Sequence, residues 1–227
     1  MAADEALLRS ALDRGVASLR FYTWDEPTLS LGYFQSHTDR LTDPLLADVA
    51  WVRRPTGGAA ILHHLELTYA LALPAGPPWR TSESWLCRFH HAVAAAFKTF
   101  AVETHTVMCG EESKLGPFLC FQHQTPGDLL VGGHKVVGSA QRRPHGATMQ
   151  HGSILLRRSS HAPALPGIRD LSGKDIADVE LERAIVRALG NETGWTFEPA
   201  NWTAVELATA NELERSKYAT RAWNTRR

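Results

Sequence analysis

The sequence predicts an α+β fold, a mixed sheet flanked by helices, and three observations predict it. Strand-like runs recur between residues 18 and 157, helical periods stand at both ends and once in the middle, and the two kinds are mixed rather than strictly alternating. A length of 227 residues fits one large domain or two small ones and is ample for a buried core.

Ala6, Leu7, Leu8, Ala11 and Leu12 share a helical face, so residues 3–14 are predicted as a helix. Two strand-like runs follow, SLRFYTW and TLSLGYF, with Pro27 at the turn between them. The run AWVR (50–53) reads as a strand leading into RRPTGGAA, and LELTYALALP as a buried strand that Pro74, Pro77 and Pro78 bring to an end. A helix capped by Thr81 or Ser82 is expected to carry Trp85, Leu86, Phe89, Val93, Phe97 and Phe100 on its apolar face. Residues 104–119 are irregular. From Cys120 onward the pattern is strand, a tight Gly132–Gly133 turn, then strand, and QHGSILLR is a further strand. Residues 173–195 and 201–217 are predicted as two closing helices.

Lysine plus arginine equals aspartate plus glutamate at 24 each, so no global field draws the chain to nucleic acid or an anionic membrane. No apolar run approaches the roughly 20 residues of a membrane span. The N-terminus is polar and amphipathic, unlike a signal peptide, and three sparse cysteines do not form a secreted disulfide framework; the expected compartment is the cytoplasm. The eleven histidines lack zinc-site spacing, and no metal is expected.

Three segments can carry chemistry. In RRPTGGAAILHH, two adjacent glycines let backbone approach a ligand, and Arg53 or Arg54 can supply a planar donor fork; a hairpin turn with surface arginines is the alternative. In GGHKVVGSAQ, Lys135 follows a turn and precedes Val136 and Val137, either at the mouth of an apolar slot or as a solvated turn lysine. Cys120, between Leu119 and Phe121, is a nucleophile if a cation such as Lys135 packs against it, and otherwise a small buried hydrophobe. Cys87, on the helix with Trp85 and Phe89, fits the second description better.

Together these segments resemble the lipoate–biotin ligase/transferase superfamily and, within it, the cysteine-dependent octanoyltransferases of lipoate assembly. The similarity runs over nearly the whole chain: DEALL, LRFYTWDEPTLSLGYFQ, RRPTGGAAILHHLELTYAL, HKVVGSAQRRPHGATMQHGSILL and the closing LERSKYATRAWNTRR. The resemblance implies a largely antiparallel sheet related to class II aminoacyl-tRNA synthetase cores, as one catalytic domain over residues 1–227 without a C-terminal accessory domain. It implies ligand-facing roles for Arg54, Thr56, Gly57, Gly58, Ala60 and His63, and for Ser139, Ala140, Gln141, Gln150, His151 and Gly152. Cys120, opening CFQHQTPGDLL, stands where that subgroup has its acyl-accepting cysteine, with Lys135 as its partner. The family usually has a strand before the DEALL helix, an acidic residue at the position of His64, and Gly or Arg at that of Ala59.

The implied reaction takes octanoyl from acyl carrier protein onto Cys120 and then onto a lysine of a lipoyl domain or a glycine-cleavage H protein. Backbone N–H groups around Gly138 to Ala140 would hold the oxyanion. Seven buried methylene-like units at ~0.8 kcal/mol each give about 5–6 kcal/mol for chain binding, so an apolar pocket is expected. Arg142, Arg143, Arg157 and Arg158 are expected to meet an acidic carrier. No cofactor is required; ATP and Mg enter only if the chain is instead an adenylating lipoate ligase. A non-catalytic acyl or carrier binder is the other alternative, and biotin ligation ranks last because no GRGRxGRxW-like loop is present.

Overall fold

The computed structural model describes residues 1–116 and 118–226. The chain opens with helix α1 (Ala2–Arg14) and strands β1 (Ser18–Tyr22), β2 (Thr28–Leu31), β3 (Ala50–Arg53), β4 (Ile61–His63) and β5 (Glu66–Leu73). Helix α2 (Trp85–Thr99) follows, then β6 (His105–Thr106), β7 (Ser113–Lys114), β8 (His123–Gln124), β9 (Leu129–Val131), β10 (His134–Arg142) and β11 (Thr148–Leu155). The chain closes with α3 (Ile168–Ser172), α4 (Asp178–Thr193), α5 (Ala204–Leu213) and α6 (Arg221–Asn224).

Six strands form one antiparallel sheet in the order β1-β5-β11-β10-β9-β6. A smaller sheet, β3-β2-β4, pairs β2 with β3 in parallel and with β4 in antiparallel fashion. The central strand β5 is buried at all eight positions because both of its faces are covered. Leu67, Tyr69, Leu71 and Leu73 share the main core with Phe89, Val93 and Phe97 of α2 and Leu181, Ile185 and Leu189 of α4. On the other face Ala72 packs with Leu7 and Ala11 of α1, and Leu8 packs with Ala147 and Met149. The α+β class read from the sequence is therefore the observed one.

Two helix starts differ from the sequence reading. Ser84, rather than Thr81 or Ser82, caps α2 by accepting from the Leu86 N–H. The period predicted to start at residue 173 begins at Asp178, because α3 terminates at Gly173 in a left-handed C-cap (φ 71°). Residues 214–218, read as helix, continue α5 as a π-type turn.

Candidate active site

Cys120 is positioned by backbone. Its N–H donates to the Ala60 carbonyl at 2.7 Å, and the Ala60 N–H donates to that of Phe118 at 3.1 Å. This short parallel bridge ties the cysteine segment to the residues following the Gly57–Gly58 pair. Phe121, the next residue, is buried and anchors the turn, leaving Cys120 partly exposed. Lys135 reaches the same place from β10. Its Nζ lies 4.0 Å from the Cys120 Sγ, donates to the His123 carbonyl at 3.1 Å, and is ion-paired to the Asp128 Oδ2 at 2.7 Å. Both pair members have side chains only 3% exposed. Asp128 is fixed in turn by the N–H and hydroxyl of Thr125. Gly138 makes room for the lysine: a Cβ there would stand 2.4 Å from the Lys135 Cε. The β9 register ends at Val137, so among the described residues no strand pairs with that edge of β10 over Gly138, Ser139 and Ala140.

The loop after β3 holds a second buried cation. Arg54 is 2% exposed, and its guanidinium donates to the carbonyls of Ser30 (3.0 Å), Gly57 (2.8 Å) and Ala59 (2.7 Å). Its Nε has no hydrogen-bond partner, and among the described residues no carboxylate pairs with it. Burial lowers its pKa to about 10, and the charge of Cys120 acts in the opposite direction, so thiol and guanidinium are electrostatic neighbours. Gly58 (φ 92°) gives the loop its close turn, and its carbonyl lies so near Gly32 that a Cβ at Gly32 would clash with it. Arg53 braces the loop from behind. It donates to the carbonyls of Gly32 (2.9 Å), Gln35 (2.7 Å) and Asn224 (2.9 Å), while the Trp223 indole N–H donates to its carbonyl. The WN of the closing segment thus locks the Gly-Gly loop.

A slot beside Arg54 is lined by Met1, Tyr22, Ile61, His63, His151 and Ser153, among others. The expectation of an apolar lining needs restating. The residues are mostly polar, but most of their side-chain polar atoms are hydrogen-bonded and they present chiefly carbon to the slot; the Arg54 Nε is left without a partner. His63 contacts Glu66 at 2.6 Å through Nδ1 and Ser30 at 2.7 Å through Nε2; Thr68 and Ser153 also donate to the Glu66 Oε1. His151 Nε2 lies 2.6 Å from the Thr56 hydroxyl, and its Nδ1 3.5 Å from the Asp4 Oδ2. Asp4 also accepts from Arg20 and Tyr22, both at 3.1 Å. Burial opposes the Asp4 carboxylate, yet the N-terminal ammonium, His151 and Arg20 outweigh it and hold its pKa well below the carboxylate range. In this conformation the slot encloses about 20 Å³, room for a single water.

The remaining signature residues face α2 and build a continuous hydrogen-bond chain. Arg143 donates to the Gln141 Oε1, Gln141 to the Gln150 Oε1 (2.7 Å) and Gln150 to the Tyr69 hydroxyl (2.9 Å). Tyr69 bonds Ser139, Ser139 bonds the His90 Nε2, and the His90 Nδ1 meets the Gly127 carbonyl. Arginine can only donate and a carbonyl can only accept, so every bond points the same way and His90 is protonated on Nδ1. Burial lowers its pKa to about 4 and keeps it neutral. The chain ends one residue from Asp128. Gly152 permits it, since a Cβ there would meet the Ser139 Oγ at 2.5 Å and the Tyr69 ring at 2.7 Å.

The structure therefore gathers Cys120 and Lys135 into one cluster, places Arg54, Thr56, Gly57, Gly58 and Ala60 on the loop beside it, and sets His63, Ala140, His151 and Gly152 along the slot. Ser139, Gln141 and Gln150 lie in the chain toward α2. Sequence reasoning missed Asp128, Asp4, Ser30, Glu66 and His90. For Asp128 a signal existed, an acidic residue seven before Lys135 across a Gly-Gly hairpin. The expected arginine patch is divided: Arg142 ends β10 and Arg143 follows it, beside the start of β11, whereas Arg157 and Arg158 follow the end of β11, where Arg157 pairs with Asp175. Among the described residues no group of three or more His, Cys, Asp or Glu is placed to hold a metal ion, and no helix is long and apolar enough to cross a membrane.

The chain is similar to known proteins over its whole length. Octanoyltransferase LipM of Kyrpidia tusciae is 32% identical, with 100% of this chain and 94% of the relative covered; that of Brevibacillus brevis is 33% identical at the same coverage. Among solved structures, lipoate-protein ligase A bound with ATP superposes with a TM-score of 0.78 at 22% identity, covering 99% of this chain and 92% of that one. The bipartite lipoate protein ligase of Thermoplasma acidophilum gives 0.74 at 21% identity, covering 99% and 89%. These structural likenesses establish the class II synthetase-like fold. The family model of the lipoyl protein ligase A/B catalytic domain matches residues 1–165, and the chain belongs to that family.

Proposed function

We propose that this protein is an octanoyl-[acyl-carrier-protein]:protein N-octanoyltransferase, acting through a thioester on Cys120. The observation that carries the reading is the Cys120 thiol, partly exposed, 4.0 Å from the buried Lys135 ammonium and beside the Arg54 guanidinium. Lys135, paired with Asp128, locates the sulfur, and the Arg54 guanidinium has no carboxylate partner among the described residues and can meet negative charge that develops there. The full-length similarity to octanoyltransferases supports the same activity.

In the first half-reaction the thiolate attacks the carrier thioester. The C–S bond to Cys120 forms, the bond to the carrier sulfur breaks, and the N–H groups of Gly138 to Ala140 receive the oxyanion. The octanoyl chain lies along the slot; side chains such as Met1 and Ile61 must swing aside to widen it. In the second, the neutral lysine amine of a lipoyl domain or glycine-cleavage H protein attacks the acyl-enzyme. Thioester to amide is downhill, so neither ATP nor Mg is required. A lipoyl protein as acceptor is supported by the archaeal structural neighbour, a bipartite lipoate protein ligase described with its E2 lipoyl domain. Acyl carrier protein as donor rests on the thioester chemistry.

The test is transfer to an apo lipoyl domain without nucleotide. Octanoyl-carrier protein should support it, free octanoate with ATP should not, and Cys120→Ala should be inactive. Full activity of Cys120→Ala with ATP and free octanoate, together with ATP–pyrophosphate exchange, would establish a ligase instead.

A further inference from the structure

We infer that Thr56, His151 and Asp4 form a proton relay dedicated to the second half-reaction, separate from the cluster that acylates Cys120; the inference rests on the thioester reading. A carboxylate only accepts, so Asp4 facing Nδ1 places the His151 proton there. Nε2 is then the basic nitrogen, and the Thr56 hydroxyl donates to it at 2.6 Å. This is the connectivity of a nucleophile–base–orienter triad, with a threonine on the acyl loop at its outer end.

Its placement suits the acceptor amine. Thr56 is two residues from Arg54, and the Ala59 carbonyl that Arg54 holds is followed by the Ala60 carbonyl that binds the Cys120 N–H. Arg54 also acts electrostatically on both Cys120 and His151. The comparable trio Ser30–His63–Glu66 is less suited: both hydroxyls are buried, but Ser30 lies within β2 whereas Thr56 is on the loop, and Glu66 already accepts from Thr68 and Ser153.

The amine nitrogen bonds to the acyl carbon, the C–S bond breaks, and the Cys120 sulfur leaves as thiolate beside Lys135 and Arg54. The nitrogen gives one proton to the Thr56 oxygen as the Thr56 hydroxyl proton passes to the His151 Nε2. The resulting imidazolium lies against the Asp4 carboxylate and later returns its proton to the thiolate or to solvent. The charged and titratable groups facing His151 are Asp4 of α1, Arg54 after β3 and the Met1 amine; Arg20 and Tyr22 of β1 bound Asp4. Burial lowers the His151 pKa from 6.5, with Asp4 opposing, so the ring is neutral and able to accept at pH 7.

Single-turnover measurement separates the relay from the reading beneath it. Wild type, Asp4→Asn, His151→Gln and Thr56→Val are each charged with octanoyl from octanoyl-carrier protein, and the isolated acyl-enzyme is mixed with an apo lipoyl domain or with hydroxylamine, which is neutral at pH 7. Because His151 lines the acyl slot, its substitution can change charging itself; the relay predicts that in each variant transfer from the isolated acyl-enzyme falls further than charging does. Transfer to the lipoyl domain should fall about 10²–10⁴-fold in His151→Gln and Thr56→Val, and less in Asp4→Asn. Discharge by hydroxylamine should match wild type, and Thr56→Ser should recover most of what Thr56→Val loses. Unchanged transfer to the lipoyl domain, or equal slowing toward both nucleophiles, would overturn the relay while leaving the thioester in place. Failure of wild type to charge at all would overturn the thioester reading, and the relay with it.

Discussion

Two buried cations flank Cys120, and they are compensated in opposite ways. Lys135 is matched by a carboxylate, Asp128, at 2.7 Å, and reaches the sulfur only at 4.0 Å. Arg54 is held by neutral carbonyls, keeps an orphan Nε, and has no carboxylate beside it among the described residues. A buried ion pair is internally neutral and fixes geometry, whereas a buried cation without a counter-ion awaits an anion. Lys135 is accordingly the rigid post that locates the thiol, and Arg54 supplies the uncompensated positive field for a thiolate or a developing oxyanion.

Substitutions can break or sharpen that contrast. Cys120→Ala removes the nucleophile, so transfer should vanish while the melting temperature stays near wild type. Lys135→Met strands the Asp128 charge and should cost about 3–5 kcal/mol of stability by urea titration, much of it recovered in the double variant with Asp128→Asn. Arg54→Gln should slow Cys120 acylation about 10²–10³-fold in a rapid-quench assay, because the field is lost and no partner charge is stranded. A smaller effect belongs to Gly138→Ala, which pushes on the Lys135 stem and should cost about 1–3 kcal/mol with a measurable drop in turnover.

The pH dependence of stability tests the chain behind the site. The folded-state pKa of His90, about 4, lies below its ordinary 6.5. Its contribution is therefore complete above pH 6.5 and is lost as pH falls from 6.5 toward 4, where the unfolded chain binds the extra proton. His90→Gln, which can still donate and accept, should flatten the urea midpoint over that window. Cys87→Ala should change least: burial, then Glu83 and Cys109, raise that thiol pKa, and activity should match wild type.

Much of this was legible in the sequence, for identifiable reasons. The strand-like run SLRFY became a sheet strand, and ELTYALAL, rich in Leu and Ala, became the strand β5 that is buried on both faces. Cys120 and Lys135 stood out through their flanking residues. The parallel pairing of β2 with β3 did not, since it depends on how the intervening residues cross over. Asp128 did not stand out, because only the fold brings its carboxylate against Lys135 and beside Gly138. The slot misled most: Ser30, His63 and Thr68 are polar residues, and their hydrogen bonds to one another and to Glu66 behind them turn carbon to the slot. Sequence shows which polar groups exist, whereas pairing decides which face they turn to a ligand.

The covalent intermediate itself is the most direct test. Intact-mass analysis of the protein after brief exposure to octanoyl-carrier protein, without an acceptor or nucleotide, should show one octanoyl adduct. Peptide mapping should place that adduct on Cys120, and hydroxylamine should remove it. An unmodified protein that nonetheless transfers octanoyl at full rate once the lipoyl domain is added, or an adduct on another residue, would contradict the account.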